Sequence, residues 1–215
     1  MTGHQTRSSQ TRAERKEQTR RALLDGTLQL SAERGLSNVS LREIARSADI
    51  VPTAFYRHFA SIDQLGLTLV DDGMRALRVM LREARRSPGG ANGQASVDIL
   101  SKHVRANRQL FQFLYRERYG GSIEIRRAID TELRFIVGEL TIDLSRTPGL
   151  QDWETEDLEM AADLIVSAMQ EAMVAFLSAG KSDARAEDEI VERTRKQMRL
   201  IVLGIGQWRP KPRQD

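Results

Sequence analysis

Three observations predict an all-α fold. Apolar residues recur at helical rather than alternating spacing, Leu, Ala, Arg and Glu abound, and prolines number only five in 215 residues, Pro88 and Pro148 standing beside Gly at breaks. Those breaks leave nine helices, over about residues 14–33, 40–48, 52–59, 62–86, 94–106, 108–118, 122–146, 155–179 and 184–208. A chain this long buries roughly 70% of its unfolded surface, enough for a small domain fused to a larger one.

Residues 1–13 are polar and basic, rich in Ser, Thr and Gln, and read as a flexible arm. The first helix turns Ala22, Leu23 and Leu30 inward and stops at Gly35. Its basic start, with Arg15, Lys16 and Arg20, can follow a phosphate backbone. Ser40 and Glu43 form a capping box, and Leu41, Ile44, Ala45 and Ala48 give the next helix one apolar face. Arg42 and Arg46 then lie towards solvent or phosphate. Ile50 fills the turn, and Pro52 suits a first helical position, where no N–H is needed. From there Phe55, Tyr56 and Phe59 supply an inner face. Thr53, Ala54 and Arg57 point elsewhere, as small groups and donors do on a helix that meets base edges. Two short helices joined by a tight turn make a helix-turn-helix. The chain therefore divides into an arm (1–13), a helix-turn-helix domain (14–61) and a larger C-terminal domain (62–215), to which the family resemblance given below assigns ligand binding and dimerisation.

The helix over 62–86 carries Leu65, Leu69, Met74, Leu77, Val79, Met80 and Leu81. Starting beside the recognition helix and ending in the second domain, it is the mechanical link. Residues 87–93 are a loop, and Gly120-Gly121, Thr147-Pro148-Gly149 and residues 180–183 separate the later helices. Apolar residues cover well over half the circumference of the helix over 155–179, so it needs cover on more than one side. The last helix has a narrower stripe: Ile190 or Val191, Thr194, Met198, Ile201, Ile205 and Trp208. Two such helices from each of two chains would form a four-helix interface; the plainer alternative is intrachain core.

Charge is unevenly spread. Residues 1–60 hold ten Lys/Arg against six Asp/Glu, whereas residues 61–215 hold 23 against 24. Positive potential gathers at the helix-turn-helix end. Without cysteine there is no disulfide, thiolate metal site or cysteine nucleophile. His4, His58 and His103 are scattered, so neither a catalytic triad nor a zinc site can be drawn, and no catalytic or metal residue is assigned. No apolar run approaches ~18 residues and no secretory segment opens the chain, so the expectation is a cytoplasmic protein with no membrane insertion.

Phe55-Tyr56-Arg57-His58-Phe59, preceded by Leu41-Arg42-Glu43-Ile44-Ala45, resembles the DNA-binding domain of the TetR family of bacterial repressors over about residues 15–70. The resemblance implies a nine-helix homodimer that reads a palindromic operator, with a small-molecule site in its C-terminal domain. It implies phosphate contacts at Tyr56, His58 and the Ser40 cap, and base contacts at Pro52, Thr53 and Ala54; Leu41 and Arg42, next to that cap, are further candidates for the DNA surface. Asp49 stands where the family has Gly, and Asp tolerates a left-handed turn. Ile62 stands where the family has a phosphate-binding Lys; a second capping box, Ser61 to Gln64, leaves a helix N-terminus there instead.

The middle of the chain is rich in flat or flexible apolar residues: Leu110, Phe111, Leu114, Phe135, Met169 and Met173, with Leu77 and Val166 on neighbouring helices. Such residues line a pocket or form ordinary core. Arg116-Glu117-Arg118-Tyr119-Gly120, with Arg126, Arg127, Glu132 and Glu139-Leu140, resembles the acyl-CoA-responsive regulators of unsaturated fatty acid synthesis and desaturation within the TetR class. That implies a long-chain acyl-CoA effector rather than a resident cofactor, with Arg116 and Arg118 as candidate cations for the CoA head. The plainer reading of these arginines is a surface network with Glu117, Glu124 and Glu132. The alternative function is a repressor of the same fold answering another lipophilic molecule, a drug or a signal.

Overall fold

A computed structural model describes residues 11–86, 94–179 and 183–208. Residues 1–10 of the arm, the loop at 87–93 and the break at 180–182 lie outside the described residues. Within them the chain forms nine α-helices and one 3-10 turn, with no strand.

Helix α1 (Arg12–Arg34) starts earlier than its apolar pattern suggests, because Thr11 and Glu14 close a reciprocal capping box. It ends at Gly35 (φ 80°), from which a 3-10 turn at Leu36–Asn38 leads onward. Helix α2 (Leu41–Ser47) opens on the expected Ser40/Glu43 box, and α3 (Pro52–Phe55) on Pro52. Leu23, Ile44, Phe55 and Phe59 are buried between these three helices and so fix their mutual angles.

Helix α4 (Ile62–Arg86) buries Leu65, Leu69, Val70, Met74 and Met80. Val79, expected on the apolar face, is instead 46% exposed. Helices α5 (Gln94–Ala106), α6 (Arg108–Gly120) and α7 (Ile123–Ser145) pack around α4. Gly73 lets α4 and α6 touch, since a Cβ there would fall 2.6 Å from Leu114 Cδ1. Between α4 and α7, Arg78 pairs with Glu132, and Arg85 meets both Glu139 (3.2 Å) and Asp143 (2.5 Å).

Helix α8 (Thr155–Ser178) lies against α5, α7 and α9 (Ala184–Gln207). It buries Leu158, Ala161, Ala162, Ala172 and Phe176 yet leaves Met160 and Leu164 about half exposed. By length and composition α8 could cross a membrane, unlike the expectation from unbroken apolar runs. Its few acidic residues interrupt the apolar run without making the helix polar as a whole. On α9, Thr194 and Met198 are buried, as their stripe predicts, while Leu200 and Leu203 face outward at 72% and 57%.

Candidate nucleic-acid interface

The turn between α2 and α3 is built around Asp49, whose φ of 54° makes it the one non-glycine residue in the left-handed region among the described residues. Its N–H bonds the Arg46 carbonyl, and the Ile50 N–H returns to Ala45 (3.0 Å). Ile50 is half-buried against the core, as expected of a turn plug. Asp adopts this conformation more readily than most residues because its short side chain bonds locally.

Beyond Phe55 the recognition segment tightens. Arg57 N–H bonds Ala54 (3.1 Å) and His58 N–H bonds Phe55 (2.9 Å), three residues back rather than four. The α-helix is thus shorter than the expected span to residue 59. Tyr56, about 100° round the helix from Phe55, is 62% exposed and not part of the inner face, with its ring edge-on to Phe55. Phe55 and Phe59 remain inside, with ring centres 5.8 Å apart.

Thr53, Tyr56 and Arg57 are exposed, and Pro52, Ala54 and His58 half-exposed. Ser40 and Arg42 are exposed at the start of α2, beside a half-buried Leu41. From α1, Arg20 reaches across: its guanidinium donates to the His58 carbonyl (3.2 Å) and lies 4.3 Å above the Phe59 ring. Arg15 and Lys16 are exposed on the same helix. Burial pushes the His58 imidazole below its ordinary pKa, and the charges of Lys16, Arg20 and Arg57 push it the same way. Its Nδ1 is buried with no hydrogen-bond partner. Lys16, Arg20, Arg57 and His58 therefore form one electropositive cluster from two elements distant in sequence, and none of the three cations pairs with a carboxylate among the described residues.

Acidic groups nearby are used structurally. Glu43 accepts from the Ser40 hydroxyl and amide and pairs with Arg34 (2.6 Å). The Ser40 bonds, with Arg34 behind them, hold its pKa down at about 2. At the start of α4, Ser61 Oγ accepts from Gln64 N–H (3.0 Å) as expected, but the Gln64 side chain accepts from Ala60 N–H rather than from the cap's own amide. Gln64 thereby ties the recognition segment's exit to α4.

The candidate effector residues do not share one cavity. Phe111 and Leu114 are core, and Leu77, Val166, Met169 and Met173 are half-buried around it. Phe135 is 57% exposed on the outer face of α7, next to an equally exposed Ile142, because the helix turns Ile136 inward instead. An open cleft of about 850 Å³ beside Leu28, Arg105, Arg108 and Glu187 is bordered by Leu110 alone of the ten. Arg118 is held by Asp130 (3.2 Å) and Gln170 (2.7 Å), and Glu132 is taken by Arg78, so the expected arginine–glutamate network forms with different partners. Arg116 is half-buried and lends its charge to Glu117. Glu117 is no surface residue at all: it is 1% exposed, and its Oε1 accepts from Leu36 N–H at 2.8 Å. Sequence reading missed this. Small neighbours at Gly35 and Gly121 were its faint signal.

Comparison with known proteins agrees with this architecture. Residues 23–67 match the family model of the bacterial regulatory proteins of the tetR family, and residues 92–204 match the tetracyclin repressor-like C-terminal domain. A TetR-family transcriptional regulator from Streptomyces coelicolor is 18% identical, with a TM-score of 0.66 over 89% of this chain and 97% of that one. The fatty acid degradation regulator FadR from Bacillus halodurans is 16% identical, with a TM-score of 0.65 over 87% of this chain and 96% of that one. FadR from Bacillus subtilis, solved in complex with stearoyl-CoA, is 18% identical, with a TM-score of 0.62 over 86% and 98%. At such identities these structures share the fold alone. The two family models together span most of the chain, so it belongs to the TetR family of DNA-binding transcriptional regulators, which are not enzymes.

Proposed function

We propose that the protein is a cytoplasmic homodimeric repressor that binds a palindromic operator and whose affinity is set by long-chain acyl-CoA, at genes of fatty acid desaturation or unsaturated fatty acid synthesis. One observation carries the DNA half of this reading: Lys16, Arg20, Arg57 and His58 converge beside the exposed Thr53 and Tyr56 with no carboxylate opposing them. In this reading Arg15, Lys16, Ser40, Leu41, Arg42, Tyr56 and His58 contact phosphates, which supply affinity. Pro52, Thr53, Ala54 and Arg57 face base edges, which supply sequence preference. The half-exposed Met160 and Leu164 with the outward Leu200 and Leu203 support a four-helix dimer of α8 and α9. Covering them in that way also accounts for α8 without a membrane.

Support for the effector comes from the residue 107–140 resemblance and from stearoyl-CoA in the Bacillus subtilis neighbour. An acyl chain would enter by parting the packed core of α4, α6 and α8, where Leu114 sits on Gly73. A sixteen-carbon chain has about 14 methylenes worth ~0.8 kcal/mol each, so ample energy remains for that opening. Changing operator affinity a hundredfold needs only ~2.7 kcal/mol of coupling. A shift of α4 would then alter the separation of the two recognition helices.

The outward Phe135 and the dispersed effector residues favour, as a second reading, a different lipophilic effector in the same core. Mass spectrometry of whatever co-purifies with the protein separates the two, followed by operator binding with palmitoyl-CoA and palmitoleoyl-CoA. Identical operator affinity with and without both thioesters would remove acyl-CoA as the effector.

A further inference from the structure

The contact between α6 and the 3-10 turn is unusual in its chemistry. A carboxylate is a poor choice for a buried site, since it loses its hydration and regains little of it from a single amide. Burial raises the pKa of Glu117, although the Leu36 hydrogen bond and the Arg116 charge partly oppose this. Its second oxygen, Oε2, is buried with no hydrogen-bond partner.

The slot is nevertheless shaped for it. Gly35 lies on one side, at a φ of 80°, where a Cβ would come 3.5 Å from Oε1. Gly121 lies on the other, where a Cβ would fall 2.9 Å from Oε2 and 2.5 Å from the Glu117 carbonyl. Leu36 itself is wedged. A Cβ on Gly66 would meet Leu36 Cδ2 at 2.7 Å and Ile125 Cδ1 at 2.6 Å, so α4, α7 and the Leu36 side chain close on one point while α6 holds the Leu36 amide. Between α6 and α1 itself, the Gln112 side chain donates to the Ala32 carbonyl at a long 3.4 Å.

From this geometry we propose that Glu117 is the positioning residue that fixes the angle of the first three helices on the C-terminal domain, and thereby the spacing of half-sites the dimer accepts. Leu36 is the pivot, held through its side chain by α4 and α7 and through its amide by α6. Without the carboxylate the side-chain wedge and the long Gln112 bond remain, but rotation about Leu36 is less restrained. The half-site consequence rests on the dimeric operator reading; the joint itself does not.

Two variants of the full chain test it. Glu117→Gln keeps an acceptor for the Leu36 amide, whereas Glu117→Leu fills the slot without one and avoids an unpaired buried charge. In DNA-free hydrogen exchange, the Leu36 amide should exchange at least about tenfold faster in Glu117→Leu than in the wild type, and Glu117→Gln should match the wild type. On duplexes selected from a random library, the wild type and Glu117→Gln should reject a one-base-pair change between half-sites, and Glu117→Leu should accept it. A merely structural role would lower stability without relaxing spacing. Unchanged Leu36 exchange in Glu117→Leu overturns the joint whatever the DNA result. Faster exchange with unchanged spacing discrimination overturns its role in operator geometry. If the wild type selected no duplex, the operator reading would fail while the exchange comparison still judged the joint.

Discussion

Arg20 and Phe59 are stacked, with the guanidinium 4.3 Å above the ring and donating to the neighbouring His58 carbonyl. One side chain of α1 thus closes the end of the recognition segment, so affinity and local rigidity are coupled there. Arg20→Ala should lose about 1–2 kcal/mol of stability from the stacking and the hydrogen bond together. DNA affinity should fall on all sequences alike. Urea unfolding and fluorescence anisotropy on several duplexes check both.

His58 should make DNA binding depend on pH. Its pKa in the free protein is lowered, so it is neutral at pH 7. A phosphate placed beside it favours the protonated form, so the complex takes up a proton and affinity rises as pH falls through the range just below 6.5. For folding the sign is opposite: the free protein loses stability over the same range, because the unfolded histidine binds the proton more tightly. Affinity measured between pH 5.5 and 8 for the wild type and His58→Gln tests this; equal pH slopes would remove His58 from the phosphate contact.

At Asp49 the backbone conformation decides the outcome. Asp49→Val should cost about 1–2 kcal/mol, because a branched side chain in the left-handed region crowds the following carbonyl. Asp49→Gly should be neutral or stabilising, and removing a negative charge from the turn that leads into the recognition segment should tighten DNA binding. Urea midpoints and salt-dependent binding read the two effects separately.

The outward leucines of α9 give the fourth test. Leu200→Glu with Leu203→Glu introduces charge where the partner chain is proposed, at positions that bury little of the chain's own core. Light scattering should show a folded monomer by circular dichroism, with operator affinity lowered by about tenfold or more. A stable dimer would move the interface elsewhere.

Much of this was legible because helices advertise themselves. Apolar spacing, two capping boxes and Pro52 placed α2, α3 and α4 to within a few residues, and the left-handed turn at Asp49 followed from its chemistry. Tyr56 was not legible as exposed: an aromatic beside Phe55 invites an inner assignment, although one residue along a helix is about 100° round from the face that Phe55 and Phe59 share. Nor was Glu117. Set among arginines it looks like surface charge, and only the docking of α6 on residues far earlier in the chain buries it. Phe135 failed for the converse reason, since an apolar residue is drawn inward by habit while the turn of α7 sends Ile136 there.

The bridge from Arg85 to both Glu139 and Asp143 bears on how α4 would travel in the proposed switch. Those carboxylates stand four residues apart, about 6 Å along α7. A cation straddling two such rungs can release one while gripping the other, so a modest axial slide of α4 leaves no charge stranded. Electrostatics there resembles a ratchet tooth more than a lock.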